Sequence, residues 1–298
     1  MDTSPLTYRV EIEADPKHVP AILSSLGLET SAIAKTPRVK RSPESESVRL
    51  ESAFLAGQDV WLFRSNVMRA SYLAQDRPDI QESVRVLATS MSAPRQGDLT
   101  DLKRLGRFLK GHPVAFLTFP CHWEEGCGLT AFKGKNPFLQ NPGDTIHIFS
   151  DADWAGDPTS RRSATGFVAM RAGGTLRSAS TTQTIIGLSS CESEFYALCR
   201  AAASGIGIQS NLVDLGVVCD LLIWSDASAA RAVAARRGLG KVRHLHTRFL
   251  WLQEAVAMKA VGLRCIHGKE NPADALTKAL PWTETAAHVE RMGLYYPS

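Results

Sequence analysis

Four acidic residues in the second half of the chain stand where a predicted strand ends or a predicted helix begins. Asp151 and Asp226 each follow an apolar run typical of a strand, and Glu194 and Asp274 each fall in the first turn of a predicted helix. Burying a charge in a strand is costly without a cation, whereas an acid in a first helical turn also stabilises the helix dipole. Each acid alone has a structural explanation as good as a functional one, but the four together indicate a carboxylate cluster.

The chemistry of such a cluster depends on cations, because converging carboxylates repel one another unless cations lie between them. Oxygen ligands without a cysteine or histidine pattern favour Mg²⁺, or Mn²⁺ as a substitute, over zinc. Two such ions roughly 3.5–4 Å apart activate a water and stabilise the leaving oxygen in phosphodiester cleavage. The acids therefore predict a metal-dependent site for phosphodiester hydrolysis.

The elements that would position these acids alternate between strand and helix. Periodicity predicts three strands near 145–182, a helix from about 190 to 215, a strand at 221–225, a helix over about 244–258, a strand at about 260–267 and a final helix from Pro272. In this order, the two strand-end aspartates and the two first-turn acids meet at one edge of a mixed sheet.

The first half of the chain has a different pattern. It predicts a strand at 7–14, a short helix ending at Gly27, a charged surface linker at 35–48, mostly helix over 57–111 and a hairpin of strands at 113–119 and 127–133. The domain division that we expect is 1–48, 49–140 and 141–298.

The composition of the 298 residues is that of a soluble protein, with 44% hydrophobic and 21% charged residues. A net charge of +4 is compatible with a nucleic-acid partner without requiring one. The six cysteines form no Cys-x-x-Cys pair and are expected to be reduced thiols in an intracellular protein. No signal peptide or membrane-spanning run is visible, so no membrane partner is expected.

Five motifs in unbroken order over about residues 145–281 carry a family resemblance. They are SDADWAGDPTSRRSATGFV, LSSCESEFYAL, WSDASAARAV, RHLHTRFLWLQE and NPADALTKAL. This order resembles the ribonuclease H domain of copia-type retrotransposon polyproteins. The first half is similar to the end of the reverse transcriptase and the connection that follows it in such polyproteins. The aromatic-x-Asp-Asp motif of the polymerase is absent from the sequence, so no DNA synthesis is expected from this chain alone.

The resemblance implies an α/β fold with a five-stranded mixed sheet flanked by helices, preceded by a mostly helical connection-like region. It implies an endonuclease that hydrolyses the RNA strand of RNA–DNA hybrids with two Mg²⁺ ions, leaving a 5′-phosphate and a 3′-hydroxyl. The remaining polymerase region of a reverse transcriptase is the second partner that it implies.

Site residues follow from the resemblance by motif. Asp151, Glu194, Asp226 and Asp274 match the catalytic and metal-binding acids, with Glu194 placed by its Glu-x-x-Ala sequence. Glu192, two residues away on another helix face, is the alternative to Glu194.

A histidine and several basic residues are further candidates. His267, seven residues before Asp274, matches a mobile catalytic histidine or is a strand-end histidine that faces water. The candidate contacts to nucleic-acid phosphates are Arg161, Arg162, Arg236, Arg237, Lys241 and Arg243. For Arg161 and Arg162, an exposed turn is an equally good explanation.

Two tryptophans lie beside the acids. Trp224 is expected in the core, whereas Trp154 either stacks near substrate or packs at the core or rim.

Three other functions remain open. One is a catalytically inactive remnant that binds the hybrid, against which the clustered negative charge argues. The second is a connection subunit of a reverse transcriptase, and the third is a nuclease of the same fold that cuts DNA.

Overall fold

The structure is a computed structural model that describes residues 9–120, 145–240 and 245–297. The predicted strand at 127–133, Lys241 and Arg243 lie outside the described residues. The described residues form a helical first half, a sheet-based second half and a contact between the two.

Helices build the first half around one apolar core. The elements are β1 (Arg9–Glu13), α1 (His18–Leu26), α2 (Pro43–Glu51), α3 (Gln58–Leu73), α4 (Pro78–Thr89), α5 (Gln96–Gly111) and β2 (Phe116–Pro120). Phe63, Ile80, Leu102 and Phe108 are fully buried in this core. Gly27 ends α1 in the left-handed conformation, at the position where the sequence predicts the helix end.

The segment predicted as a linker contains a helix that its composition did not indicate. Helix α2 begins at Pro43, and the Ser42 hydroxyl accepts a hydrogen bond from the backbone N–H of Ser45. A serine cap, a proline in the first turn and acidic residues after it favour a helix start. The helix has no buried residue, which agrees with the predicted surface position.

A mixed five-stranded sheet forms the centre of the second half, as the resemblance implies. Its strands are β3 (Thr145–Ala152), β4 (Ala164–Arg171), β5 (Gly174–Thr182), β6 (Asp220–Ser225) and β7 (Gly262–Cys265). The order across the sheet is β5-β4-β3-β6-β7, with the first three strands antiparallel and β3, β6 and β7 parallel. Every residue of β3 is buried, as expected for a strand at the centre of a sheet that is covered on both faces.

Helices cover both faces of this sheet. The long helix α6 (Ser190–Asp214) packs on one face through Phe195 and Leu198, and α7 (Ser228–Ala235) and α8 (Trp251–Ala257) extend the same core. On the opposite face, Phe149 and Trp224 pack with Leu276 in a smaller cluster. Trp224 is therefore a core residue, as expected.

Two predicted helices differ from the structure. The helix expected over 244–258 is a short 3-10 turn, Thr247–Phe249, followed by α8. The final helix expected from Pro272 is a 3-10 turn, Pro272–Leu276, and the long final helix α9 (Trp282–Arg291) begins later. Pro281 precedes the first residue of α9, and the residue before a proline disfavours the α conformation, which fits a helix that starts only after it.

The end of the described chain joins the two halves. Strand β8 (Leu294–Tyr295) pairs antiparallel with β2, which also pairs with β1. The Trp282 side chain packs against the core of the first half. Helix α4 lies on β5, where Gln81 Nε2 donates to Ser178 Oγ at 2.8 Å and Arg85 Nε donates to Ser180 Oγ at 3.0 Å.

A buried ion pair lies at this joint. The side chains of Arg77 and Asp79 are 0% exposed, and Arg77 Nη2 lies 2.7 Å from Asp79 Oδ2. The Tyr296 hydroxyl donates to the same oxygen at 2.9 Å, and Arg77 Nη1 donates to the His112 carbonyl at 3.0 Å. The pair thus links α4, α5 and the segment after β8.

Among the helices of the described residues, none has the length and apolar content that crossing a membrane requires.

Candidate active site

Three of the four predicted acids converge at one edge of the sheet. Asp151 lies near the end of β3, Asp226 follows β6, and Glu194 lies in the first turns of α6. Because β3 and β6 are neighbouring parallel strands, their carboxyl ends meet at the same edge. One carboxylate oxygen from each acid lies within 4.8 Å of the other two.

Asp151 is the most deeply buried acid of this cluster, at 2% exposure. The Thr277 hydroxyl donates a hydrogen bond to its Oδ2, and Lys278 Nζ lies 3.5 Å from the same atom. Burial raises the pKa of Asp151 to about 6, with the charges of Asp274 and Asp226 adding to the rise and Lys278 opposing it.

Glu194 is held at a high pKa by the same surroundings. Burial raises the pKa of Glu194 to about 9, and the charges of Asp151 and Asp226 add to this effect. Its Oε2 atom is buried and accepts no hydrogen bond within the described part of the chain. A buried carboxylate oxygen without a donor, facing two other carboxylates, fits a divalent cation with hard oxygen ligands.

Asp274, the fourth predicted acid, lies beside this group and is not one of the three acids that meet. Lys278, one helical turn further on, places its Nζ 2.5 Å from Asp274 Oδ1 and so bridges Asp274 and Asp151. Sequence reasoning missed Lys278. The i,i+4 spacing from Asp274 was the only signal for the pair.

A close approach of backbone brings Asp274, Thr277 and Lys278 to the sheet edge. Gly166 pairs with Asp151 across β4 and β3, and a β-carbon at Gly166 would lie 2.7 Å from the Ala273 carbonyl oxygen. Only a glycine therefore lets the 272–276 turn lie directly on the strand beside Asp151.

Glu192, the alternative to Glu194, is outside the three-acid cluster. The Leu188 backbone N–H donates to its Oε2 at 2.7 Å and the Tyr196 hydroxyl donates to its Oε1. Its own N–H donates to the Ser189 hydroxyl at 3.2 Å, which caps α6. These bonds give Glu192 a structural role at the helix start.

The other candidates differ in exposure. His267 is exposed on a loop beside Asp226, since a β-carbon at the adjacent Gly268 would lie 2.9 Å from Asp226 Oδ2. Arg161 and Arg162 are exposed in the turn after β3, and Arg237 is exposed after α7. Arg236 instead donates a hydrogen bond to the Leu239 carbonyl and is partly buried.

The raised pKa values predict that stability falls with pH when no metal is present. The folded protein holds protons on Glu194 and Asp151 that the unfolded chain releases, so stability is lost as pH rises from about 4.5 to about 9. Glu194→Gln removes the largest contribution and should raise the metal-free melting temperature at pH 8 by at least ~2 °C. Millimolar Mg²⁺ should stabilise the wild type more than the variant. Melting curves between pH 5 and 9 test this, and a metal-free wild type whose stability increases toward pH 9 contradicts it.

Comparisons with known proteins place the chain among transposon sequences. The retrovirus-related Pol polyprotein from transposon TNT 1-94 of Nicotiana tabacum is 28% identical over 226 residues, which are 74% of this chain and 15% of that polyprotein. The secreted RxLR effector protein 161 of Plasmopara viticola is 32% identical over 130 residues, 44% of this chain and 78% of that protein. The chain thus spans about 15% of the length of the polyproteins that it matches.

No family model matches the sequence. Among solved structures, LC11-RNase H1 in complex with RNA/DNA hybrid is similar with a TM-score of 0.33 and 21% identity, covering 44% of this chain and 93% of that one.

Proposed function

The chain is similar to retrovirus-related Pol polyproteins of transposons, and on this premise we propose that its second half is a metal-dependent ribonuclease H. The substrate would be an RNA–DNA hybrid, of which only the RNA strand is hydrolysed. The observation that carries the proposal is the meeting of Asp151, Glu194 and Asp226 within 4.8 Å, with a buried oxygen of Glu194 left without a donor.

Asp151, Glu194 and Asp226 are the residues that would hold Mg²⁺, or Mn²⁺ in its place. Asp274 would complete the ligands of a second ion once Lys278 no longer pairs with it. Bound Mg²⁺ supplies a Lewis acid that makes a water nucleophilic near neutral pH and stabilises the leaving oxygen.

The neighbouring side chains prepare this site. The Thr277 hydroxyl fixes the orientation of the Asp151 carboxylate, and burial excludes water from it. The Lys278 ammonium group lies next to two of the acids and is exposed enough to reach a phosphate. His267, on the loop beside Asp226, is placed to assist proton transfer or product release.

Hybrid binding requires positive charge next to this negative site. Arg161, Arg162 and Arg237 are exposed and available to the phosphates, and Lys241 and Arg243 remain candidates for the same role. Binding through phosphates and 2′-hydroxyls gives weak sequence preference. The polymerase region of the polyprotein is the proposed protein partner.

The test is cleavage of a hybrid labelled on each strand in turn, with Mg²⁺ and with Mn²⁺. We expect fragments of the RNA strand with 5′-phosphate ends and an intact DNA strand. Binding without cleavage in either metal would favour the inactive remnant, and cleavage of DNA duplexes would favour a DNA nuclease of this fold. Stimulation of DNA synthesis by an added polymerase domain, without cleavage, would favour a connection subunit.

A further inference from the structure

Trp154 is a large aromatic side chain that is exposed and yet fixed in position. Its side chain is at the surface, with the residue 53% exposed, and its Nε1–H donates a hydrogen bond to the Gly187 carbonyl at 2.9 Å. Ile186 and Leu188, on either side of Gly187, are 49% and 66% exposed. We call these three side chains, Trp154, Ile186 and Leu188, the Trp154 platform.

The platform is tied to the start of α6, one residue from Glu194. The Ala155 backbone N–H donates to Ser163 Oγ at 3.0 Å, and Ser163 Oγ lies 2.9 Å from Ser193 Oγ. On the other side, a β-carbon at Gly187 would overlap Ser193 Oγ. Both loops of the platform therefore rest on Ser193, the residue before Glu194, and the loop that carries the indole follows the strand that carries Asp151.

The surroundings of the platform suit a polyanion with an apolar face. Arg248 Nη2 donates to Thr184 Oγ1 at 3.3 Å, on the loop that carries Ile186 and Leu188. Arg161 and Arg162 are exposed on the loop that carries Trp154. A nucleic-acid strand offers phosphates to the guanidinium groups and the faces of its sugars and bases to an indole.

We propose that the Trp154 platform packs against the riboses of the RNA strand beside the phosphate that is cleaved. Trp154 is then a substrate-contact residue that sets the position of the RNA strand over the acids. The hydrogen bond to Gly187 matters because an indole that is already fixed loses little conformational freedom on binding. This inference rests on the proposed ribonuclease function.

The experiment compares Trp154→Ala and Trp154→Phe with Trp61→Ala as the matched control. Trp61 is 68% exposed on α3, in the other half of the molecule. Hybrid binding is measured by fluorescence anisotropy with Ca²⁺ in place of Mg²⁺, and KM and kcat are measured separately with Mg²⁺. For Trp154→Ala we expect Kd and KM to rise about tenfold and kcat to change less. A tenfold rise in Kd corresponds to a loss of ~1.4 kcal/mol of binding free energy, which is within the range for one stacked aromatic side chain. Trp154→Phe should recover part of the loss.

Binding by Trp154→Ala that equals that of Trp61→Ala overturns the proposal, even when the wild type cuts the hybrid. If Trp154→Ala does not fold, Leu188→Ser replaces it, because it removes an apolar side chain and keeps the bond from Trp154 to the Gly187 backbone. An unchanged Kd for Leu188→Ser then overturns the proposal that the Trp154 platform contacts the RNA strand. If the wild type binds the hybrid through Trp154 but cuts neither strand, the proposed nuclease function is wrong, whereas the proposed contact between Trp154 and the hybrid is supported.

Discussion

An Asp151→Asn protein is expected to fold and bind hybrid like the wild type but to cut it at least about 10²-fold more slowly. Asparagine has nearly the same shape and still accepts the hydrogen bond from Thr277, so packing at the buried position is kept. What is lost is the negative charge that makes Asp151 a cation ligand. Single-turnover cleavage with saturating Mg²⁺ measures the loss, and circular dichroism checks the fold.

The control for this prediction is Asp153→Asn, a neighbouring acid outside the cluster. The Asp153 carboxylate accepts the backbone N–H of Ala164, a bond that asparagine can also accept. The cleavage rate of Asp153→Asn should stay close to that of the wild type. Equal rates for Asp151→Asn and the wild type would refute the metal role of Asp151.

The two glutamates of α6 allow the same comparison within one helix. Glu194→Gln should abolish most cleavage. Glu192→Gln keeps one oxygen that accepts the Leu188 N–H, and its amide group can donate to the Tyr196 hydroxyl, so this variant should retain cleavage. The reverse result would move the catalytic role to Glu192.

Removing the carboxylate of Asp79 is expected to cost about 3–5 kcal/mol of folding free energy, the typical loss when a buried ion pair is broken. Arg77 would remain fully buried without its counter-charge, and Tyr296 would lose its acceptor. Urea unfolding of Asp79→Ala and the wild type measures the difference. Tyr296→Phe removes the hydroxyl but leaves the ion pair intact, and should cost less.

An exposed ion pair serves as the control for this second prediction. Lys17 Nζ lies 2.6 Å from Asp15 Oδ2, and the two side chains are 74% and 43% exposed. Lys17→Ala should therefore change the free energy of unfolding by less than about 1 kcal/mol. If Asp79→Ala is no more destabilised than Lys17→Ala, the buried pair does not hold the two halves together.

The sequence predicted those features that depend on local pattern. The apolar runs before Asp151 and Asp226 predicted two strands that end at one edge of the sheet, and the pattern from about residue 190 predicted helix α6. Because acids at strand ends and helix starts share an edge in such a fold, the three-acid cluster followed from the same pattern.

Features that depend on tertiary contacts were not predictable in this way. Lys278 is ordinary in sequence and becomes part of the site only because Gly166 lets its turn lie on β4. Arg77 and Asp79 lie in the segment predicted as mostly helix, and the sequence gave no sign that their charges are buried. Trp154 was expected either near substrate or packed at the core or rim, and its 53% exposure rules out the core.

The pairing of β2 with β8 has a consequence for how the chain acquires its structure. Phe116 lies opposite Tyr295, so residues far apart in sequence must meet before the small sheet is complete. During translation, the helices of the first half leave the ribosome long before residues 294–295 do. Until then, the edge of β2 that pairs with β8 stays unpaired. Open strand edges are sites of pairing with other chains. A nascent or shortened chain that lacks this last strand should therefore be the species most prone to aggregate.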